Sequence, residues 1–238
     1  MADIGAEIRL QVQALEGWYG ESHVLHGASF NVARGEVVTL LGRNGAGKTS
    51  TMRALAGVMR KRRGSARLDG HELLTAPPHR VAQTGLGHVP EERGIFSTLT
   101  VRENLLLPPV IHPGGWSVEA IHELFPNLKG RDSTIGTRLS GGEQQMLAIA
   151  RILRTGCNFI LLDEPTEGLA PVIVEQIGKA LMRLKEKGFT VLLVEQNLSF
   201  AQSAADRHYV MEQGRIIDEF SNESLPANMG KLNRYLGI

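Results

Sequence analysis

The feature that most constrains this chain is the glycine-rich segment at residues 42–49, GRNGAGKT. It fits the pattern G-x-x-x-x-G-K-[ST] and lies between an apolar run at 36–41, which predicts a buried strand, and a helix-like stretch at 47–58. The glycines let the backbone curl so that successive N–H groups point at one anion, to which Lys48 adds a positive charge. The segment, called the phosphate loop below, therefore predicts a strand–turn–helix unit that binds phosphate, with the Thr49 hydroxyl available to Mg²⁺.

Short apolar runs alternate with helical stretches along most of the chain. Residues 158–163 and 189–195 predict two more buried strands, and the stretch at 172–187 between them predicts a helix. Elements that alternate in this way form a parallel sheet through right-handed crossovers. The first 35 residues differ, because their alternating pattern is typical of antiparallel strands with one face in solvent. From about 92 to 155 the pattern is helical, which predicts a helical subdomain inserted into the core.

Composition narrows the classes of function. Lys and Arg number 26 against 25 Asp and Glu, so the chain lacks the basic surplus expected of a nucleic-acid binder. The single cysteine, Cys157, excludes an internal disulfide and fits a reducing compartment. No run approaches the roughly 18 apolar residues of a membrane-spanning helix, and the N-terminal residues lack the features of a secretory signal. We therefore expect a soluble cytoplasmic protein that does not bind nucleic acid.

Two acidic residues, Asp163 and Glu164, stand at the end of the apolar run that begins at residue 158. Open α/β sheets bind their ligands at the carboxyl ends of the strands, so both acids are placed to meet the phosphate loop. Asp163 is suited to hold Mg²⁺, directly or through water, and Glu164 to polarise an attacking water. An apolar run that ends in two acids is more often a strand that meets a solvated loop. The phosphate loop favours the functional interpretation here.

A second anion-binding segment is LSGGEQQ at residues 139–145, called the signature loop below. Ser140 stands in the N-cap position of the helix-like run that follows. Ser-Gly-Gly at a helix start leaves several backbone N–H groups without partners, and these attract anions. Alone, the triplet would indicate an ordinary capped helix. Two phosphate-seeking loops in one chain favour a nucleotide site.

The motifs GRNGAGKT, LSGGEQQ and ILLDEP, in this order and spacing, resemble those of the ATP-binding subunits of ABC transporters, and the similarity covers nearly the whole chain. The resemblance implies an α/β P-loop NTPase (RecA-like) core with a mostly parallel sheet. An N-terminal antiparallel β-subdomain and an inserted α-helical subdomain accompany this core. We expect one ATP-binding domain over 1–238, with its core at about 1–91 and 156–238 and the helical subdomain at about 92–155.

The resemblance also implies an ATPase that binds ATP and Mg²⁺ in a head-to-tail dimer, where the phosphate loop of one subunit faces the signature loop of the other. The residues implied to bind the subunit's own nucleotide are Gly42, Arg43, Asn44, Gly45, Ala46, Gly47, Lys48, Thr49 and Ser50. Those implied to act on the partner's nucleotide are Ser140, Gly141, Gly142 and Glu143. The family also stacks an aromatic residue on adenine. Tyr19 fits that position, Trp18 is the alternative, and a plain aromatic at a strand end is the third interpretation.

Three positions differ from the residues usual in this family. Glu91 stands where a glutamine links the metal site to the membrane part, and its carboxylate can still ligand Mg²⁺ beside Thr49 and Asp163. Gln196 stands where a histidine contacts the γ-phosphate; its amide can donate a hydrogen bond but carries no charge. Ala170 replaces the aspartate of the loop that contacts the partner. These differences predict that the chain pairs with a second ATP-binding subunit, a homodimer being possible in isolation, with Glu164 and Gln196 as catalytic residues.

The segments VPE, DEPTEGLAP and LLVEQN resemble one of the two ATP-binding subunits of branched-chain amino acid importers, and of the related urea and short-amide importers. The resemblance implies a peripheral subunit at the cytoplasmic face of the membrane. Its partners would be permease subunits, the second ATP-binding subunit and, indirectly, an extracytoplasmic solute-binding protein. Two alternatives remain open. One is a soluble ABC ATPase of translation or DNA repair, and the other is a nucleotide-dependent regulatory protein with negligible turnover.

Two further segments carry weaker predictions. The basic run at 60–63 is expected at the end of the first helix, where cations complement the helix dipole, with lipid or partner contact as the alternative. By resemblance, the surface near Phe96, Leu99 and Val101 would receive a cytoplasmic helix of the membrane subunit, although these residues could simply pack the subdomain. The tail from about residue 221 predicts a short helix.

Overall fold

The structure, a computed structural model, describes residues 7–237, which form two β-sheets and eight α-helices. The strands are β1 Ile8–Tyr19, β2 Ser22–Ala33, β3 Val37–Leu41, β4 Lys61–Leu68, β5 His71–Glu72, β6 Leu86–Val89, β7 Phe159–Asp163, β8 Thr190–Val194, β9 Arg207–Glu212 and β10 Arg215–Ser221. The helices are α1 Lys48–Leu55, α2 Pro78–Ala82, α3 Val101–Leu106, α4 Val118–Leu124, α5 Gly141–Arg154, α6 Pro171–Glu186, α7 Leu198–Ala204 and α8 Leu225–Leu236. The predicted C-terminal helix is thus confirmed as α8.

The larger sheet has the strand order β10-β9-β3-β8-β7-β6. Strand β3 pairs in parallel with β8 and β9, and β7 pairs in parallel with β8 and β6, whereas β9 and β10 are antiparallel. Every residue of β3, β7 and β8 is buried, as expected for parallel strands covered on both faces. The three buried strands predicted from the sequence are confirmed to within a residue at either end.

The smaller sheet is antiparallel and has the strand order β2-β1-β4-β5. Strands β1 and β2 form a hairpin, and β1 also pairs with β4. The antiparallel pattern predicted for the first 35 residues is confirmed for its described part, and residues 1–6 lie outside the described residues. Together with the helices between β6 and β7, this confirms the predicted fold class, a mostly parallel sheet with an N-terminal antiparallel sheet and inserted helices.

The prediction for the basic run was wrong. Helix α1 ends at Leu55, and Gly57 follows in a left-handed conformation (φ 79°) where a side-chain Cβ would lie 3.1 Å from Pro78. The chain therefore turns early, because a glycine past the end of a helix stops it at little steric cost. Lys61 and the two arginines after it begin β4 instead.

Two hydrophobic clusters cover the two faces of the larger sheet. One joins β7 and β8 to the helices through residues such as Leu162, Leu193 and Leu181. The other joins the opposite faces of the same strands, through residues such as Leu161 and Leu192, to α1 and the antiparallel sheet. Neighbouring residues of one strand thus enter different clusters, because side chains alternate across a strand. Burial of a leucine side chain contributes about 2 kcal/mol, so both clusters fix β7 and β8 in the sheet.

The sheet order decides which loops meet. Strands β3, β8, β7 and β6 are neighbours and parallel, so the loops after them emerge at one edge. The phosphate loop follows β3, and the loops after the other three strands carry Gln196, Glu164 and Glu91. Within residues 7–237, no helix is both long enough and apolar enough to span a lipid bilayer.

Candidate active site

The phosphate loop joins β3 to α1 without a side-chain cap at the start of the helix. Gly47 occupies the N-cap position at φ 109°, a left-handed conformation, and no side chain there hydrogen-bonds to the first helical N–H groups. Gly45 is also left-handed, and Ala46 closes the turn by donating its N–H to the Arg43 carbonyl over 3.1 Å. The N–H groups at the start of α1 are consequently available to an anion, and the helix dipole favours one there.

Lys48 lies folded back over this loop and is 4% exposed. Its Nζ donates to the carbonyl oxygens of Gly42 and Arg43, over 2.8 and 3.2 Å. The same atom lies 3.7 Å from Oε1 of Glu164. A buried ammonium needs such partners, since an unpaired charge in the interior is strongly unfavourable. The positive charge of the loop is therefore already held opposite the carboxylate that follows β7.

Asp163 and Thr49 form the second contact between these loops. Thr49 Oγ1 donates to Oδ1 of Asp163 over 3.1 Å. The pKa of Asp163 is raised to about 6, chiefly by burial and also by the carboxylates of Glu164 and Glu91, while the Thr49 hydroxyl and Arg53 oppose the rise. A carboxylate whose charge is unfavourable for these reasons gains from a nearby cation.

The residues at this point fit Mg²⁺. A hydroxyl and a carboxylate oxygen lie side by side, and the surplus of negative charge from three acids is what a hard divalent cation neutralises. Among residues 7–237, no group of three or more His, Cys, Asp or Glu side chains is arranged to hold a metal ion alone. Magnesium sites in proteins commonly use one or two protein oxygens together with substrate phosphates and water.

Glu164 and Gln196 form the third contact. Gln196 Nε2 donates to Oε2 of Glu164 over 2.6 Å. Glu164 has φ 45°, which is uncommon for a residue with a side chain, and its backbone N–H donates to the Val194 carbonyl over 3.0 Å. Strained backbone of this kind is typical of functional positions. The two side chains predicted to be catalytic are therefore brought together, with Lys48 on the other side of the carboxylate.

A cavity of 420 Å³ opens over these contacts. Its lining residues come from the phosphate loop, the start of α1, the loops after β6, β7 and β8, and one position of β2: Val24, Asn44, Gly45, Gly47, Lys48, Thr49, Ser50, Glu91, Glu164, Glu167 and Gln196. The volume is within the range of small-molecule sites, and the side-chain charges are one ammonium against three carboxylates. A phosphate ligand entering alone would be repelled by those carboxylates, so the cavity suits a phosphate that arrives with a cation.

Tyr19 lies at the end of β1, is 43% exposed, and is not among the residues that line the cavity. Trp18 stacks on His23, with ring centroids 4.3 Å apart, and Lys61 lies over its ring. The alternative aromatic is thus already engaged by side chains of its own sheet, whereas the Tyr19 ring is exposed. Val24, on β2, is the residue of the hairpin formed by β1 and β2 that lines the cavity.

The signature loop is separate from this cavity, since none of Ser140, Gly141, Gly142 and Glu143 lines it. The predicted N-cap is confirmed as a reciprocal capping box: Ser140 Oγ accepts from the Glu143 N–H over 3.3 Å, and Oε2 of Glu143 accepts from the Ser140 N–H over 2.8 Å. Arg131 lies 3.2 Å from the other carboxylate oxygen of Glu143. Ser140 is exposed, so the start of α5 faces outward from this chain.

Three residues were missed by sequence reasoning. Glu167 lines the cavity, and the Glu164 carboxylate beside it raises its pKa. Arg93 donates to Gln144 over 3.3 Å and packs against Gly141, joining the Glu91 loop to the signature loop. Glu195 is buried next to Gln196. For Glu195 a signal existed, because an acid at the end of an apolar strand repeats the pattern of Asp163.

A parallel α/β sheet with a phosphate loop after one strand and acids after the neighbouring strands defines a P-loop nucleoside triphosphatase. The chain belongs to the ABC transporter family, whose family model, described as ABC transporter, matches residues 25–167. The ATP-binding domain of that family binds nucleotide and hydrolyses ATP, and the expected resemblance and the expected ATPase activity are both confirmed.

Relatives and solved structures agree with this assignment. The chain is 40% identical over 237 residues to the high-affinity branched-chain amino acid transport ATP-binding protein BraG of Pseudomonas aeruginosa, covering 96% of this chain and 99% of that protein. It is 34% identical to the lipopolysaccharide export system ATP-binding protein LptB of Haemophilus influenzae, covering 96% and 97%. A nucleotide-free ATP-binding cassette from an ABC transporter superposes with a TM-score of 0.83 at 25% identity, covering 96% and 97%. The dimeric bacterial cassette MJ0796 gives 0.78 at 26% identity, covering 90% and 98%.

Proposed function

We propose that this chain binds ATP with Mg²⁺ in the cavity above the phosphate loop and hydrolyses it with Glu164 and Gln196. The observation that carries the proposal is the contact of these two side chains at 2.6 Å, beside Lys48 and inside that cavity. A carboxylate held between an ammonium and an amide donor has a fixed orientation, which a water-positioning group needs.

The phosphates are assigned to the loop after β3. The N–H groups at the start of α1 and the Lys48 ammonium bind the β- and γ-phosphates, and Thr49 and Asp163 hold Mg²⁺ with Glu91. When bound, the cation neutralises charge that develops on the phosphate oxygens. On arrival of ATP, Lys48 exchanges the carbonyls of Gly42 and Arg43 for phosphate oxygens. We assign the adenine to Tyr19, whose exposed ring lies at the end of β1.

Hydrolysis forms a bond between a water oxygen and the γ-phosphorus and breaks the bond from that phosphorus to the bridging oxygen. Glu164 accepts a hydrogen bond from the attacking water and so aligns its lone pair with the γ-phosphorus. Gln196 holds the Glu164 carboxylate in place and has a second amide proton for a γ-phosphate oxygen. Lys48 stabilises the charge that builds up on the phosphate being transferred.

The site is completed by a partner subunit. ABC ATPases form dimers, and a dimeric cassette is among the structures similar to this chain. Ser140, Gly141, Gly142 and Glu143 would act on the ATP of the partner, an assignment supported by the exposure of Ser140 at the start of α5. Because Glu91, Gln196 and Ala170 stand where the family has other residues, we propose a heterodimer with a second ATP-binding subunit.

The transport system is proposed to be an importer of branched-chain amino acids. The 40% identity to BraG over nearly the full length of both chains, against 34% to LptB, supports this proposal. The chain would then act on permease subunits at the cytoplasmic face of the membrane, with an extracytoplasmic binding protein that selects the solute. A lipopolysaccharide exporter, suggested by the LptB relatives, is the second candidate, and an importer of urea or short amides is the third.

The test is uptake of labelled leucine, isoleucine and valine by cells in which this gene is deleted. We expect uptake to fall and to be restored by the wild-type gene but not by Glu164→Gln. Loss of urea or amide uptake alone would select the third candidate, and a lipopolysaccharide defect would select the second.

Equal turnover per site for the purified chain alone and with its paired ATPase would contradict the heterodimer. Background turnover in the assembled transporter would favour a regulatory protein.

A further inference from the structure

Glu195 is a buried acid for which the proposed mechanism has no role. It follows β8 directly, precedes Gln196, and is 2% exposed. Burial raises the pKa of its carboxyl group. A carboxylate in such a place is unfavourable unless donors surround it, so the identity of those donors indicates what the residue does.

Both oxygens of this carboxylate are engaged, each by a different loop. Oε1 accepts from Thr166 twice, over 2.7 Å from the hydroxyl and 3.2 Å from the backbone N–H. Oε2 accepts from the backbone N–H groups of Gln196 and Asn197, over 3.1 Å each. The four bonds connect backbone segments that lie 29 residues apart along the chain.

These are the segments that carry the two catalytic side chains. Thr166 lies two residues after Glu164 in the loop that follows β7, and Gln196 is one of the donors itself. The carboxylate therefore fixes the backbone of both loops behind the contact between Gln196 Nε2 and Glu164 Oε2. The two loops are therefore joined through hydrogen bonds in the buried interior, where the loss of a partner is costly.

We propose that Glu195 is a positioning residue that ties the loop of Glu164 to the loop of Gln196 and so orients both side chains toward the γ-phosphate. This inference rests on the proposed function, because it assigns the purpose of the arrangement to ATP hydrolysis. A carboxylate is required there because four donors converge on it. A glutamine would offer only one oxygen, and its amide N–H would face at least one of the three backbone N–H groups, which can only donate.

The test compares variants that break the connection with variants that keep it. Glu195→Gln removes one of the two acceptor oxygens, and Thr166→Val removes the hydroxyl that donates to Oε1. In both variants we expect kcat for ATP to fall about 10- to 100-fold while KM changes less than about threefold. Thr166→Ser keeps the hydroxyl and should therefore have a kcat close to that of the wild type. Thr84→Val is the matched control, because it removes a threonine hydroxyl that bonds to the Val81 carbonyl away from the cavity. Thermal unfolding of each variant shows whether it is folded. If Glu195→Gln does not fold, the test is made with Thr166→Val alone.

A structural role alone would give a different result. If Glu195 acts by orienting Glu164 and Gln196, Glu195→Gln should lower kcat by a smaller factor in a Gln196→Ala background than in the wild type, whereas independent effects would multiply. Multiplicative losses, or wild-type kcat in both Glu195→Gln and Thr166→Val, would overturn the inference. A second measurement needs no turnover: in a Glu164→Gln background, Glu195→Gln should lower the affinity ratio of ATP to ADP, and an unchanged ratio would also overturn it. A failure of the proposed function gives a different result, because Glu164→Gln would then hydrolyse ATP at the wild-type rate.

Discussion

The side-chain amide of Gln196 donates to the carboxylate of Glu164 over 2.6 Å, joining residues that lie 32 positions apart in the chain. Strands β7 and β8 are neighbours, so the loops after them are held side by side. Because Lys48 lies 3.7 Å from the other carboxylate oxygen, Glu164 is held from two sides. This arrangement, rather than any single residue, holds the Glu164 carboxylate in one orientation.

We expect Glu164→Gln to reduce ATP turnover at least about 100-fold while ATP binding persists, since the amide removes the acceptor but keeps the shape. Gln196→Ala should lower kcat about tenfold or more, and Gln196→His, which keeps a donor, should lower it less. Phosphate release under saturating ATP measures both. Full turnover in Glu164→Gln would show that a residue other than Glu164 accepts the hydrogen bond from the attacking water.

Lys48→Ala should weaken ATP binding at least about tenfold, because it removes the one ammonium that lines the cavity. Titration calorimetry with a non-hydrolysable ATP analogue measures the dissociation constant. Lys179→Ala is the matched control, since this lysine of α6 pairs with Glu175 at an exposed position and does not line the cavity. Affinity lost equally in both variants would indicate a general electrostatic effect rather than a phosphate contact.

Asp163→Asn and Thr49→Ala should reduce the dependence of nucleotide affinity on Mg²⁺. The wild-type chain is expected to bind ATP more tightly with Mg²⁺ than with EDTA, because the acids around the cavity repel an uncompensated phosphate. In the variants the two affinities should approach each other. If the ratio is unchanged, the cation is held by other groups.

Gly141→Asp should abolish ATP-driven dimer formation and turnover while leaving binding of nucleotide to the single subunit within about threefold of wild type. A Cβ at Gly141 meets only the end of the flexible Arg93 side chain, at 3.2 Å, so the variant should fold. At Gly142 a Cβ would lie 2.5 Å from Ile173 in the core, which makes that position unsuitable for the test. Size-exclusion chromatography of Glu164→Gln with its paired subunit and ATP measures the dimer, and a stable Gly141→Asp dimer would remove the signature loop from the interface.

The free energy of unfolding should fall as the pH is lowered from 7 to 5, in part because of His88 on β6. Burial lowers the pKa of His88 from 6.5 to about 4, with Arg53 adding to the effect and Glu92 opposing it. Its Nε2 atom is buried and has no partner among residues 7–237. The unfolded chain therefore binds a proton between pH 6.5 and 4 that the folded chain does not, which destabilises the fold by about 2 kcal/mol at pH 5.

His88→Leu removes this titration. The loss of stability between pH 7 and 5, measured by urea unfolding at each pH, should be smaller in the variant by that amount. An identical pH dependence in the two proteins would show that His88 has the same pKa in the folded and the unfolded chain.

The sequence was sufficient for features that depend on neighbouring residues. The turn of the phosphate loop follows from its own glycines, and the cap of α5 follows from Ser140 and Glu143, three positions apart. Buried strands were predicted correctly because a continuous apolar run has few other stable environments. The end of α1 was predicted too late, although Gly57 is itself a local stop signal for a helix. Only the structure shows that Pro78, distant in the chain, packs against that turn.

Residue types and local periodicity thus determined that this chain has a phosphate loop, a capped signature helix and acids at the end of a buried strand. The tertiary structure alone decided that Gln196 donates to Glu164 and that Glu195 holds Thr166, Gln196 and Asn197 together. The physical reason is that a local pattern records whether a strand is buried but not which strand lies beside it. The packing of both sheet faces selects the neighbours, and the neighbours decide which side chains meet.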